Sequence, residues 1–325
     1  MKLLLPVVTP EDITALRQVD PDAEFYAGIE LPEWYERFGP YEDLNRMSAF
    51  RKTANMSGLE AVCRLRAAAG ASELYVTLNA ACYSRAQRDF LQEVIAGLSQ
   101  AQVTGVILGD PLMAADVRAH GLKAVASTMV GVYNADMARY CRDAGFTRLI
   151  LPRDMTLQEI GTVIESVPDM EYECFLMRNG CRYSDSNCLA RHSDRFGAIC
   201  TCLDRSRTAF GGAANDSFSA HDDMAFNHQA FSRVFHKEAC GVCAIWDLMQ
   251  MGVTAGKVVG RADGLPSILR DAGLLHRNLQ LSRRCASREE YLNRLEPPIN
   301  YDSVCFQGCS CYYPEARYGA GKESP

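Results

Sequence analysis

No stretch of this chain approaches the roughly 18 uninterrupted apolar residues that a membrane-spanning helix requires. The opening run MKLLLPVVTPED is broken by Pro6 and Pro10 and lacks a small-residue cleavage site, so no secretion signal and a cytoplasmic location are expected. Charge of one sign is lacking too. With 34 Lys and Arg against 40 Asp and Glu, the net charge is −6, which argues against bulk coating of RNA or DNA. The H-E-x-x-H helix of zinc proteases and the G-x-S-x-G nucleophile elbow are absent. Gly211-Gly212 has neither the following helix nor the lysine of a phosphate loop. There is no internal repeat and no low-complexity tract.

What is present is an ordinary globular composition, 48% hydrophobic and 23% charged over 325 residues, so a sizeable core is available. Short β-type runs at residues 2–8, 23–28, 74–79, 105–109, 124–127, 148–151, 172–177 and 257–259 alternate with helical patterns, clearest at 84–101, 135–144 and 157–166. Strand alternating with helix predicts a parallel sheet, and about eight strands are the number that closes a TIM-like (β/α)8 barrel. The expected fold is therefore α/β, an irregular barrel over residues 1–272, followed by an extension over 273–325. The polar segment 182–237, within an excursion spanning 178–243, breaks the rhythm straight after a strand. Loops in that position carry barrel active sites.

The unusual component is cysteine, with 14 residues, half of them between 174 and 243. In a cytoplasmic protein, clustered cysteines more often bind metal than form disulfides. Cys63, Cys82, Cys141 and Cys174 fall in predicted helices, strands or their ends and are expected to be small core residues. Cys181 and Cys188 bracket a polar loop, and Cys200 and Cys202 follow another. Such thiolates suit zinc or an iron–sulfur cluster. Cys285, Cys305, Cys309 and Cys311 form a second set of four, ending in C-x3-C-x-C, and suggest a second metal site.

Other polar residues gain interest from position. Glu173, Arg178, Lys257 and Arg261 fall near the predicted C-terminal ends of strands, where arginine could grip an anionic substrate. Asn79 and Tyr83 follow the strand ELYVTLN as further pocket candidates. His192, His221, His228 and His236 lie in or beside the polar segment, as acid/base groups, ligands or plain solvated side chains.

Several blocks resemble peptidase family U32. KLLLPV followed by DAEFYAGI looks like that family's opening strand, helix and strand, and ELYVTLN is similar to its third-strand signature. Glu173-Cys174-Phe175, Cys181 and Cys188 are similar to its E-x-F…C…C block. Cys240, Gly252-Val253 and the run KVVGR at 257–261 resemble its later cysteine, Ala-Gly-Val and K-I-E-G-R elements. The chain departs from the family in two places. Met-Arg-Asn-Gly-Cys stands where the family has H-G-A-L-C, and Val259 stands where it has Glu.

The resemblance implies a TIM-like barrel with a 4Fe-4S cluster held by Cys181, Cys188, Cys240 and one of Cys200 or Cys202, with Cys200 preferred. A second cluster on the tail set is the accompanying expectation. The implied activity is oxygen-independent, anaerobic hydroxylation of a small molecule or an RNA base, an oxidoreductase reaction in which prephenate is the oxygen donor of some members. The alternatives it leaves open are a collagenase-like peptidase and a non-enzymatic iron–sulfur subunit working beside a homologous U32-type chain.

Overall fold

The computed structural model describes residues 1–48, 54–181, 185–186, 188, 239–298 and 311–317. Nine parallel strands run through it: β1 (Lys2–Pro6), β2 (Glu24–Glu30), β3 (Asn55–Ser57), β4 (Leu74–Leu78), β5 (Gly105–Leu108), β6 (Lys123–Ala126), β7 (Arg148–Ile150), β8 (Glu171–Met177) and β9 (Ala255–Val258). The sheet order is β1-β9-β8-β7-β6-β5-β4-β2-β3, and β1 also pairs with β2, which closes eight strands into a ring. This is the expected TIM-like barrel. The ninth strand, β3, was not expected. It is three residues long, too short to show a period, and it pairs only with the C-terminal end of β2, at Gly28, Ile29 and Glu30.

Helices α1 (Pro10–Val19), α2 (Pro32–Phe38), α3 (Gly58–Ala69), α4 (Arg85–Gln100), α5 (Ala114–Ala119), α6 (Ala135–Asp143), α7 (Leu157–Ser166), α8 (Ile245–Gln250), α9 (Leu265–Ser282) and α10 (Arg288–Arg294) are distributed among the strands and, for the last two, beyond them. Their starts are written locally. Thr9 with Asp12, Ser84 with Gln87, and Thr156 with Glu159 each form a reciprocal capping box at α1, α4 and α7, which satisfies orphan amides of the first turn. The boundary expected at residue 272 falls inside α9, a single helix across that position. No helix among the described residues is long and apolar enough to cross a membrane.

Strands buried on both sides should read as apolar runs, and β1, β4 and β5 do. The barrel floor does not. Arg148, at the start of β7, lies 2.6 Å from Glu24 of β2 and 2.7 Å from Glu171 of β8. Its guanidinium carbon sits 4.9 Å from the centre of the Tyr75 ring. Lys123, at the start of β6, pairs with Glu73 at 3.1 Å and Glu171 at 3.0 Å. These groups tie the N-terminal ends of β2, β4, β6, β7 and β8 into one ion network.

Two outcomes test this floor. Removing one partner of a buried ion pair leaves an unmatched charge, so Arg148→Met should lower stability by about 3–5 kcal/mol in urea unfolding, and Glu24→Met added to it should recover part of that loss. Burial would raise the Glu171 carboxyl, but the field of Arg148 and hydrogen bonds from Lys123 and Arg148 outweigh it and hold it low. For Glu73, burial is likewise outweighed by hydrogen bonds with Glu24, Lys123 and Tyr75. Two depressed carboxylates contribute fully above their ordinary value of 4.5 and lose that contribution as pH falls through the folded values. Burial raises the Glu24 carboxyl against the lowering pull of Arg148, which acts in the opposite sense and offsets part of this dependence. Tm should therefore fall as pH drops from 4.5 to about 2, with a shallower fall in Lys123→Met; equal slopes would contradict the network.

Candidate functional site at the barrel mouth

Above the floor, Lys257 of β9 donates to Glu173 of β8 at 2.7 Å, and its ammonium stands 4.1 Å from the centre of the Tyr26 ring. Burial lowers the Lys257 pKa, with the Glu173 carboxylate opposing it. The second carboxylate oxygen of Glu173 is buried and has no hydrogen-bond partner. Both residues expected at the mouth thus form a paired charge in the barrel interior. Arg178 follows β8 and is also matched, by Asp271 of α9 and by Asp263 at 3.3 Å. Its backbone has φ 66°, and the next residue, Asn179, has φ 49°. Left-handed geometry is uncommon outside glycine, and here it turns the chain sharply out of β8.

Arg261 is the exception. It is 8% exposed, and its guanidinium donates to Thr77 Oγ1 at 2.7 Å, Asn55 Oδ1 at 3.3 Å and Asn45 Oδ1 at 3.4 Å. Among the described residues no carboxylate pairs with it, and burial pulls its pKa down to about 10, with Tyr26 opposing. Gly28 makes room for it, since a Cβ there would stand 2.0 Å from Arg261 Nη1 and 2.0 Å from Asn55 Oδ1. The partners are fixed in turn. Asn45 Nδ2 donates to Ile29 O at 2.9 Å, and Asn55 Nδ2 donates to Met47 O at 2.9 Å.

The remaining pocket candidates hold the surrounding loops. Asn79 Oδ1 accepts from the Arg46 amide at 3.2 Å, and its Nδ2 donates to Ser127 Oγ at 3.3 Å. Tyr83 is buried and donates to Leu44 O at 2.6 Å, so it braces the loop that presents Asn45 rather than lining open space. Asn45, Asn55, Thr77 and Arg46 were not singled out from sequence. The one available signal was Gly28 inside a strand, where a missing side chain marks a close approach.

Thiols gather beside this polar cup. Arg46 Nη2 donates to Cys188 Sγ at 3.2 Å. Arg153 pairs with Asp185 at 2.9 Å, sits 4.5 Å from the centre of the Phe175 ring and feels the Cys181 thiol. Cys240 enters an antiparallel bridge with Met177 at the end of β8. The buried Tyr312 hydroxyl, raised by burial, senses both Cys181 and Cys240. Thiolate sulfur is a soft ligand, so the donor chemistry at Cys181 and Cys188 suits a soft metal centre. Among the described residues, no three His, Cys, Asp or Glu side chains are grouped to hold a metal ion. Cys200, Cys202 and the four histidines lie outside the described residues, as do Cys305 and Cys309.

Two of the four cysteines expected in the core are there: Cys141 and Cys174 are buried, and burial pushes the Cys141 thiol up to about 12. Cys63 and Cys82 are exposed. Cys63 lies on α3 outside that helix's buried stripe of Val62, Leu65 and Ala69, and Cys82 lies in the loop between β4 and α4.

The chain is similar in sequence to known proteins. tRNA hydroxylation protein P1 of Bacillus subtilis (strain 168) is 24% identical over 258 residues, covering 74% of this chain and 59% of that protein. tRNA hydroxylation protein P of Escherichia coli (strain K12) is 27% identical over 119 residues, covering 36% and 26%. This chain thus spans about three-fifths of the length of the Bacillus relative. Among solved structures, the U32 peptidase Mk0906 aligns with 55% of this chain and 70% of its own, at 13% identity and a TM-score of 0.41. The sequence model of peptidase family U32 matches residues 41–270, most of the chain and six of the eight strands of the closed barrel, and the protein belongs to that family.

Proposed function

We propose that this protein is a hydroxylation-type U32 enzyme that grips an anionic co-substrate or substrate with Arg261, beside an iron–sulfur cluster held by Cys181, Cys188, Cys240 and one of Cys200 or Cys202. The observation that carries the reading is the buried Arg261 cation. Its described partners are neutral oxygens, and a desolvated guanidinium without a counter-ion is costly. A carboxylate entering the cup would supply the missing charge and accept two parallel hydrogen bonds. The C-terminal mouth is where barrel enzymes do their chemistry.

The names of the Bacillus and Escherichia relatives, both tRNA hydroxylation proteins, favour an RNA base as the molecule modified, with a small aromatic molecule as the other substrate class. A 4Fe-4S cluster at the thiols would contribute a Lewis-acidic iron or an electron relay. The chain's own groups have separate tasks. Arg46 and Arg153 hold charge beside Cys188 and Cys181. Tyr83 and Asn79 fix the loop that carries Asn45 and Arg46. Glu173 and Lys257 neutralise one another beneath the cup.

Anaerobically purified protein should carry roughly four irons with matching acid-labile sulfide per chain, and Cys188→Ala should lose them. Prephenate, as a dicarboxylate probe, should bind the loaded protein. Arg261→Met should weaken that binding by about 10- to 100-fold, the range of a lost charge-assisted contact, with iron content unchanged. Arg261→Lys should recover only part, because an ammonium cannot match the planar fork. Absence of iron would remove the cluster from the reading, and equal prephenate affinity in Arg261→Met would remove the anion grip.

A further inference from the structure

The described part of the C-terminal extension, residues 311–317, lies against the barrel as a strap anchored at both ends. At one end the Tyr312 amide donates to Cys240 O at 2.9 Å, and Cys311 forms a parallel bridge with Cys240. At the other, Glu315 accepts from the Leu157 amide at the start of α7 at 2.7 Å, and Arg288 of α10 donates to Ala316 O at 3.2 Å. Between the anchors, along the seam with β8, Tyr313 donates to Phe175 O at 3.0 Å. Gly241 admits this approach, since a Cβ there would stand 3.0 Å from Tyr313 Cε2 and 3.1 Å from Phe175 O. Of the four cysteines expected to hold a second metal, Cys285 lies between α9 and α10, and Cys311 sits at the Cys240 end of the strap.

What the strap holds is the turn out of β8. Arg178 and Asn179 are consecutive left-handed residues, at φ 66° and 49°, and neither is glycine, so the turn needs support from its neighbours. Each of their carbonyls is met by a side-chain donor. Tyr312 donates its hydroxyl to Arg178 O, and Arg153 donates from Nη1 to Asn179 O. Both donors rest on one ring: Tyr312 stacks on Phe175 with 5.7 Å between ring centres, and the Arg153 guanidinium carbon lies 4.5 Å from the centre of Phe175. Arg153 also pairs with Asp185 at 2.9 Å, and the Asp185 carbonyl accepts from the Cys188 amide at 3.1 Å. Cys181 follows Asn179 by two residues. Direct contacts thus run from the strap to the thiol-bearing chain through Tyr312, Phe175, Arg153, Asp185 and Cys188.

We infer that Tyr312 is a positioning residue of the mouth, and that the C-terminal strap fixes where Cys181 and Cys188 stand by bracing the turn at Arg178 and Asn179. The ring of Tyr312 backs the Phe175 ring on which Arg153 rests, and its hydroxyl caps the first left-handed carbonyl. The inference rests on the proposed function only for what the two thiols bind. The bracing itself needs neither a metal nor a substrate.

The test is residue-resolved thiol reactivity in the full chain after chelation, with N-ethylmaleimide as the probe and each cysteine followed by mass spectrometry. Tyr312→Leu removes the ring stack and the hydroxyl together, and Cys181 and Cys188 should then react about tenfold faster. The exposed Cys63 and the core Cys141 should keep their rates. Tyr312→Phe keeps a ring against Phe175 and should restore part of the protection. Glu315→Ala, an exposed change at the far anchor, should raise the rates of Cys181 and Cys188 roughly threefold, and it decides the matter if Tyr312→Leu does not fold. Unchanged rates at both thiols in folded Tyr312→Leu overturn the positioning role, and unchanged rates in Glu315→Ala overturn the strap. A parallel rise at Cys141 also overturns the inference, because it reports general loosening of the barrel. Since these rates are read without metal or substrate, absence of an iron–sulfur cluster or of prephenate binding would remove the proposed function and leave this result standing.

Discussion

A guanidinium keeps its proton at any ordinary pH, so an arginine inside a barrel must be met by an anion or carried at a cost. That requirement organises this interior from floor to mouth. Arg148 is met by Glu24 and Glu171, Lys257 by Glu173, Arg178 by Asp263 and Asp271, and Arg153 by Asp185. Only at Arg261, among the buried cations described here, is the pairing replaced by two asparagines and a threonine. The tiers below the mouth therefore serve structure, and the unmatched tier is where an anion changes the energy most.

The same tiers bear on how a short-stranded barrel stays closed. β7 has three residues and β5, β6 and β9 have four each, so each ladder is brief. The Arg148 and Lys123 network joins the strand starts at one end, and α9 ties the other by placing Asp271 against Arg178. The positive φ at Arg178 and Asn179 is held between these bonds, with Asn179 donating to Asp263 at 3.0 Å. A strained turn persists only where its surroundings over-determine it.

The barrel was legible because most strands are short, largely apolar runs and α1, α4, α6 and α7 carry side-chain caps at their starts. Residues 157–166 match α7 end to end. β3 escaped because three residues carry no period, and Asn45 and Asn55 escaped because loop asparagines look alike until a partner is known. Glu173 and Lys257 fall in the expected strands and Arg178 just after one, but sequence could not show that each already had a counter-ion. Ion pairing spans 84 residues from Glu173 to Lys257 and leaves no local mark. Cys63 and Cys82 show the complementary failure, since residue type alone does not say which side of a helix or loop it occupies.

Residues 311–317 of the C-terminal extension dock on the barrel. Ordering the seven residues 311–317 costs about 7–14 kcal/mol at roughly 1–2 kcal/mol each. Burying Tyr312 and Tyr313 returns about 8–12 kcal/mol, at roughly 150–250 Å² apiece and about 25 cal/mol/Å². The two terms nearly cancel, so the tail's attachment is decided by what else binds at the seam. Its pairing with Cys240 puts that decision beside the thiols. A metal held there would couple its own binding to the docking of the tail, and the tail in turn would hold Tyr312 against Phe175 and the carbonyl of Arg178.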